Sequence, residues 1–248
     1  VSDNAKEAKY ADRTLGMEES VSQMFNRFEL SYEDHVELME YATKLEMPLF
    51  STPFDEMSVD ILLELGIQAF KIASFDIVNI PFIKYVASKK LPIILSTGMS
   101  NLSEIEDAIE AISQENNPNL ILLHCVSSYP CDSADANLKA INTMRKAFNV
   151  PIGYSDHTIG LLASNVAFSL GADMLEKHFT LDKYQEGPDH ILSSDREEMR
   201  EIVNNRDQIF LALGDGLKKP SPIEYKQINI QRKSIFTSKQ INKDDNLN

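Results

Sequence analysis

The chain has 248 residues, 43% of them hydrophobic, and a formal net charge of -14 at pH 7. That size suits one large α/β domain or two small ones, and the acidic balance speaks against a general nucleic-acid binder, which carries basic patches. No run approaches the roughly 18 consecutive apolar residues of a membrane span, and the opening Val1-Ser2-Asp3-Asn4-Ala5-Lys6 has no hydrophobic signal segment. Cys125 and Cys131 make no disulfide framework and are read as reduced thiols, so a cytoplasmic setting is expected.

In chain order, residues 18–28 form a candidate short helix. Ser31 and Asp34 resemble a helix start, followed by Val36, Met39, Ala42 and Leu45 at helical spacing. Met47-Pro48-Leu49-Phe50-Ser51-Thr52 reads as a buried strand, and Val59, Leu62, Leu63 with the terminator Gly66 as a helix. Strands are expected at Ala69-Phe70-Lys71-Ile72-Ala73-Ser74 and at Leu91-Pro92-Ile93-Ile94-Leu95-Ser96-Thr97, with a proline-started helix over 81–88 between them. Asn101 and Glu104 form a capping box ahead of the apolar face Ile105, Ala108, Ile109 and Ile112. Leu120-Ile121-Leu122-Leu123-His124-Cys125 is the next strand, and Leu138, Ile141, Met144 and Phe148 mark a helix. Strands over 151–155 and 174–179 flank a helix over 161–170. Ser194 and Glu197 cap a long helix that Gly214-Asp215-Gly216 ends. Lys219-Pro220-Ser221-Pro222 reads as a linker and Gln231-Arg232-Lys233-Ser234-Ile235-Phe236-Thr237 as a new strand.

Strand and helix alternate six times, so the short apolar strands should be parallel. An open doubly wound sheet collects its site at one switch point, whereas a barrel collects it from many strand ends. Here nearly every strand ends in reactive residues: Ser51-Thr52, Ser74 and Asp76, Ser96-Thr97, His124-Cys125, Ser155 to His157, and Glu176 to His178. The reading is a (β/α)8 TIM barrel, N-terminally incomplete because six units fall two short of closure. His157 and His178 stand where buried strands meet solvent and are a candidate pair for one divalent metal; each is otherwise a hydrogen-bonded core residue.

The set Phe50-Ser51-Thr52-Pro53-Phe54, Phe70-Lys71-Ile72-Ala73-Ser74, Ile94-Leu95-Ser96-Thr97-Gly98-Met99, Leu123-His124-Cys125-Val126-Ser127-Ser128-Tyr129-Pro130, Gly153-Tyr154-Ser155-Asp156-His157-Thr158, Glu176-Lys177-His178-Phe179-Thr180 and Gly187-Pro188-Asp189-His190 spans nearly the whole chain. In that order it resembles the N-acetylneuraminate (sialic acid) synthase family, including the legionaminate and pseudaminate synthases. The resemblance implies a barrel over residues 1–219, a linker over 220–232 and the truncated start of an antifreeze-like (SAF) domain over 233–248. It implies condensation of phosphoenolpyruvate with an N-acyl amino sugar, such as N-acetylmannosamine, releasing phosphate. The metal, Mn²⁺ or Mg²⁺, falls on His157 and His178, and leaves coordination positions open. Phosphoenolpyruvate falls on Lys71, Thr52, Ser74, Ser96, Ser127 and Ser155, and the sugar on Tyr129 and Asp189. Asp76 stands where many members carry a glutamate for proton transfer; it otherwise caps the following helix. Glu176 shares inward parity with His178, while Lys177 should face the helices. A homodimer with a swapped antifreeze-like domain is implied, so the chain ending at Asn248 is expected to have little activity alone. Two other classes stay open: a Schiff-base aldolase using Lys71 or Lys177, and a non-catalytic sugar-binding module.

Overall fold

The structure, a computed structural model, describes residues 26–243 and residue 246. The helix expected over 18–28 lies mostly outside them; residues 26–28 are helical. The chain divides into two compact units, residues up to 212 and residues from 213.

In the first unit, helices α1 (Tyr32–Lys44) and α2 (Glu56–Glu64) precede β1 (Phe70–Ile72). Then come α3 (Ile80–Ser88), β2 (Ile93–Ser96), α4 (Leu102–Gln114), β3 (Leu120–Cys125) and α5 (Ala140–Ala147). The series closes with β4 (Ile152–Asp156), α6 (Leu162–Ser169), β5 (Leu175–Lys177) and α7 (Arg196–Leu213). Both expected capping boxes form: Ser31 with Asp34 on α1, and Asn101 with Glu104 on α4. The cap of α7 lies one residue later than expected. Asp195, not Ser194, accepts from the backbone N–H groups of Glu197 and Glu198, both at 2.9 Å. A carboxylate takes two orphan donors where a single hydroxyl serves fewer.

The five strands are all parallel, in the order β1-β2-β3-β4-β5. That order never reverses, so right-handed crossovers put every connecting helix on the same side. A sheet covered by helices on one face alone curls to enclose the other, which is the barrel geometry rather than the doubly wound one. Alternate residues separate the two faces. Phe70, Ile72, Ile93, Leu95, Leu120, Leu122, Ile152 and Tyr154 pack outward in one core with Ile83, Val86, Ile105, Ala108, Ile112, Ile141 and Ala167. The residues between them, Lys71, Ser96, Cys125, Ser155 and Glu176, point into the concave face and line a cavity there.

Two expected strands are absent. Met47 to Thr52 is extended but takes no strand pairing; its one backbone hydrogen bond to β1 runs from Lys71 N–H to the Ser51 carbonyl at 3.4 Å. The other lies in the second unit, whose only helix among the described residues is α8 (Glu224–Gln231). That helix occupies the expected linker, started by Ser221 N–H donating to Glu224 Oε2 at 2.7 Å. Residues 232–237 form no strand, and Ile235 and Phe236 are exposed. An extended segment with no partner strand leaves its ladder groups to water. The structure shows no antifreeze-like fold among the described residues of this unit.

Candidate active site

The concave face of the sheet holds a cavity of about 790 Å³, within the range of small-molecule sites. Its wall is built by strand parity. Lys71 comes from the middle of β1, and its side chain cannot reach water without crossing the cavity. Its ammonium donates to Ser96 Oγ at 2.7 Å and to the Ile72 carbonyl at 3.2 Å, and lies 3.6 Å from Glu176 Oε1. Ser155 on β4 donates to the same Glu176 oxygen at 2.7 Å. Four strands are thus joined across the inner wall, with the Lys71 ammonium held by a carboxylate, a hydroxyl and a backbone carbonyl.

The strand ends add the upper ring. After β1 a 3-10 turn, Ser74–Asp76, turns Ser74 inward, where its hydroxyl accepts from Gly98 N–H at 3.0 Å and lies 3.2 Å from Cys125 Sγ. Gly98 has no room for a side chain: a Cβ there would stand 2.4 Å from Ser127 Oγ and 2.9 Å from Ser74 Oγ. Small polar side chains therefore fill the space beside the Gly98 backbone.

His157 and His178 follow β4 and β5 directly and meet over the cavity, ring centroids 5.4 Å apart and nearly perpendicular. Tyr129 lies against both, at 4.2 and 5.9 Å. His157 Nδ1 pairs with the Val126 carbonyl at 2.8 Å, and His178 Nδ1 lies 3.5 Å from Asp189 Oδ2. Each ring is thereby oriented through one nitrogen, which leaves Nε2 as the atom it can offer a cation. Burial, and secondarily the neighbouring His178 ring, hold His157 below the usual imidazole pKa, while its bond to Val126 works the other way. A neutral imidazole is the ligand form. Among the described residues no group of three or more His, Cys, Asp or Glu side chains is arranged around a metal position. A cation here would draw on two imidazoles and leave its remaining positions to other ligands. Asp189, which lines the same cavity, has its Oδ1 buried with no hydrogen-bond partner.

Of the residues singled out from sequence, Lys71, Ser74, Ser96, Ser127, Tyr129, Ser155, His157, Glu176, His178 and Asp189 all line this cavity; Thr52 and Asp76 do not. Asp76 is the last residue of the 3-10 turn, 9% exposed, with Oδ2 unpartnered, and burial raises its pKa against a hydrogen bond from Asn79. Nor does it cap α3, a role taken by Asn79. His124 has the opposite parity to Cys125: it faces the helices, stacks on Tyr154 at 5.8 Å and pairs with the Ala136 carbonyl. Lys177 also faces outward, as its parity requires. Sequence reading passed over the apolar rim: Phe28, Phe54, Phe75, Met99 and Phe179 line the cavity and are solvent-exposed, Phe54 stacking on Phe75 at 5.5 Å. Exposed aromatics that follow strand ends were the available signal, since a soluble surface has little reason to gather them.

A search among known proteins gives concordant relatives. A N,N'-diacetyllegionaminic acid synthase of Campylobacter jejuni is 45% identical over 245 residues, covering 98% of this chain and 73% of that protein. A namesake from Legionella pneumophila is 41% identical over 255 residues, covering 99% and 72%. Among solved structures, the N-acetylneuraminic acid (sialic acid) synthetase of Leptospira borgpetersenii, crystallised with citrate, superposes with a TM-score of 0.78 at 37% identity, covering 84% of this chain and 72% of that one. The NeuB family model matches residues 1–218, and with that match the chain belongs to the NeuB family and is an enzyme of it.

Proposed function

We propose that this chain condenses phosphoenolpyruvate with an open-chain N-acyl amino sugar, forming a nonulosonic acid and inorganic phosphate. The observation that carries the reading is one cavity in which a buried lysine, strand-end hydroxyls and two facing imidazoles stand together. Lys71 supplies the fixed positive charge for the phosphoenolpyruvate anion, with Ser74, Ser96, Ser127 and Ser155 as neutral donors around it. Glu176 holds the ammonium in place until the substrate anion arrives. His157 and His178 hold Mn²⁺ or Mg²⁺, which when bound supplies Lewis-acid polarisation of the sugar aldehyde. Asp189 Oδ1 accepts from a sugar hydroxyl, and the Tyr129 ring gives the sugar an apolar wall. Of the carboxylates matched from sequence, Glu176 and Asp189 reach the cavity and Asp76 does not, so proton handling beside the sugar carbonyl is assigned to Glu176.

The apolar rim favours a sugar that carries methyl groups. A 2,4-diacetamido-trideoxy hexose presents two acetyl methyls and a C6 methyl to Phe54, Phe75, Phe179 and Met99; N-acetylmannosamine presents one acetyl methyl and more hydroxyls. The names of the Campylobacter and Legionella relatives support the same preference. A homodimer, in which an antifreeze-like domain completes a neighbour's site, and a cytoplasmic setting belong to this proposal. No helix of the described residues is long and apolar enough to cross a membrane.

The test is phosphate release from phosphoenolpyruvate by the full-length protein, with each sugar, with and without Mn²⁺. Metal-dependent release, fastest with a diacetamido sugar, is expected. No release with any sugar, or a pyruvate adduct trapped on Lys71 by borohydride, overturns the reading.

A further inference from the structure

Behind the two histidines, on the helix side of the sheet, lies an ion pair that the chemistry above does not use. Lys177 Nζ stands 3.1 Å from Asp156 Oδ2, with side chains 1% and 0% exposed. Asp156 and Lys177 are direct register partners across β4 and β5. The Asp156 carboxylate also accepts from Thr158 N–H and Thr158 Oγ1, both at 2.8 Å, and from Ser164 Oγ of α6 at 2.6 Å. Lys177 Nζ donates in turn to the Thr158 carbonyl at 2.7 Å.

These contacts enclose His157. Its neighbours on both sides, Asp156 and Thr158, are tied to one charge pair, and the next residue after Lys177 is His178. A buried pair costs desolvation, and apolar residues of the same volume often serve stability as well or better. What apolar residues do not supply is a direction. The pair fixes which residue of β4 stands opposite which of β5, and a slip of one place would turn either imidazole away from the cavity.

We propose that Asp156 and Lys177 are positioning residues: a buried ionic clamp that sets the spacing and orientation of His157 and His178 from the far side of the sheet. The proposal rests on those rings being the cation site, so its test carries one readout that needs no cation. Three forms are compared with the wild type: Asp156→Asn, Lys177→Met, and Asp156→Leu together with Lys177→Met, which leaves no lone buried charge. The readouts are the imidazole ¹⁵N spectrum of the metal-free protein, Mn²⁺ affinity by electron paramagnetic resonance without substrates, and the urea midpoint. The expected result is Mn²⁺ affinity lowered about 10- to 100-fold in all three, the scale seen when groups that orient metal ligands are lost. The paired variant should regain part of the urea midpoint lost in the single variants, short of the wild type because Thr158 N–H and Ser164 Oγ lose their acceptor, but neither the affinity nor the single His157 tautomer that the bond to Val126 enforces. A paired variant with wild-type spectrum and affinity overturns the clamp, because the pair would then serve stability alone. If the wild type itself binds no Mn²⁺, the cation reading falls and the spectrum decides the clamp: a scrambled tautomer in the paired variant sustains it, an unchanged one overturns it.

Discussion

Lys71 has the problem of any cation set inside a barrel wall: an ammonium is costly to bury unless its donors are matched. Ser96, the Ile72 carbonyl and Glu176 match them, and they also hold the ammonium facing the cavity. Lys71→Met should therefore raise the KM for phosphoenolpyruvate at least about tenfold, the worth of one charge-assisted hydrogen bond. Glu176 stays partly exposed and keeps Ser155, so the stability loss read from urea unfolding should remain below about 2 kcal/mol. Asp76 predicts the opposite balance. Its pKa is raised by burial, so its cost to the fold builds up as pH rises from the unfolded-state value to the higher folded-state one and persists at neutral pH. Asp76→Asn should raise the urea midpoint at pH 7 and leave kcat nearly unchanged; a large fall in kcat would return Asp76 to the chemistry. His124 and His157 are both held below 6.5 by burial. As pH falls through that value the unfolded chain takes up protons first, so stability should be flat above neutrality and decline below it. His124→Asn should flatten that decline, measured as urea midpoints across pH 5 to 7.5.

At the scale of elements, the site depends on how closely β4 lies against β3 and the start of β5. Gly153 faces inward between Leu123 and Met174. A Cβ added there would stand 2.5 Å from Leu123 Cδ2 and 2.6 Å from the Met174 carbonyl oxygen. The backbone atom cannot swing aside, so Gly153→Ala should cost about 1–3 kcal/mol in urea unfolding. It should also push β5, and with it His178, out of place, lowering Mn²⁺ affinity even at concentrations of urea far below the midpoint. The parity of β4 and β5 could be read from the alternation of residue types, and Glu176, His178 and Lys177 lie on the sides that it assigns. His124 shows where that reading needs a register. Parity alone places it opposite Leu123 and Cys125, but its neighbour Tyr154 is known only from the pairing of β3 with β4.

For the first unit as a whole, the consecutive strand order matters most, because it sends all crossovers to one side and leaves the concave face for the cavity. The two histidines are carried by strands already formed through backbone ladders and an apolar outer core. Removing metal with EDTA should therefore leave far-UV circular dichroism unchanged while condensation is lost, and Mn²⁺ should restore it. A protein whose helicity collapsed on chelation would instead need the cation to fold.

The sequence by itself determined the alternation of strand and helix, both capping boxes, the opposite parity of Glu176 and Lys177, and the place of His157 and His178 at the ends of successive strands. These follow from local periodicity and chain order, which a single segment carries. It gave a strand to Met47-Thr52 and to residues 231–237, because an apolar run looks the same whether or not a partner lies beside it. Only the tertiary structure decided that Asp76 is left out of the cavity lining, that aromatic residues from distant loops form its rim, and that Asp156 and Lys177 meet behind the histidines. Each of those depends on where a second segment lies, and contacts between segments far apart in the chain are fixed by packing, not by the residues on either side.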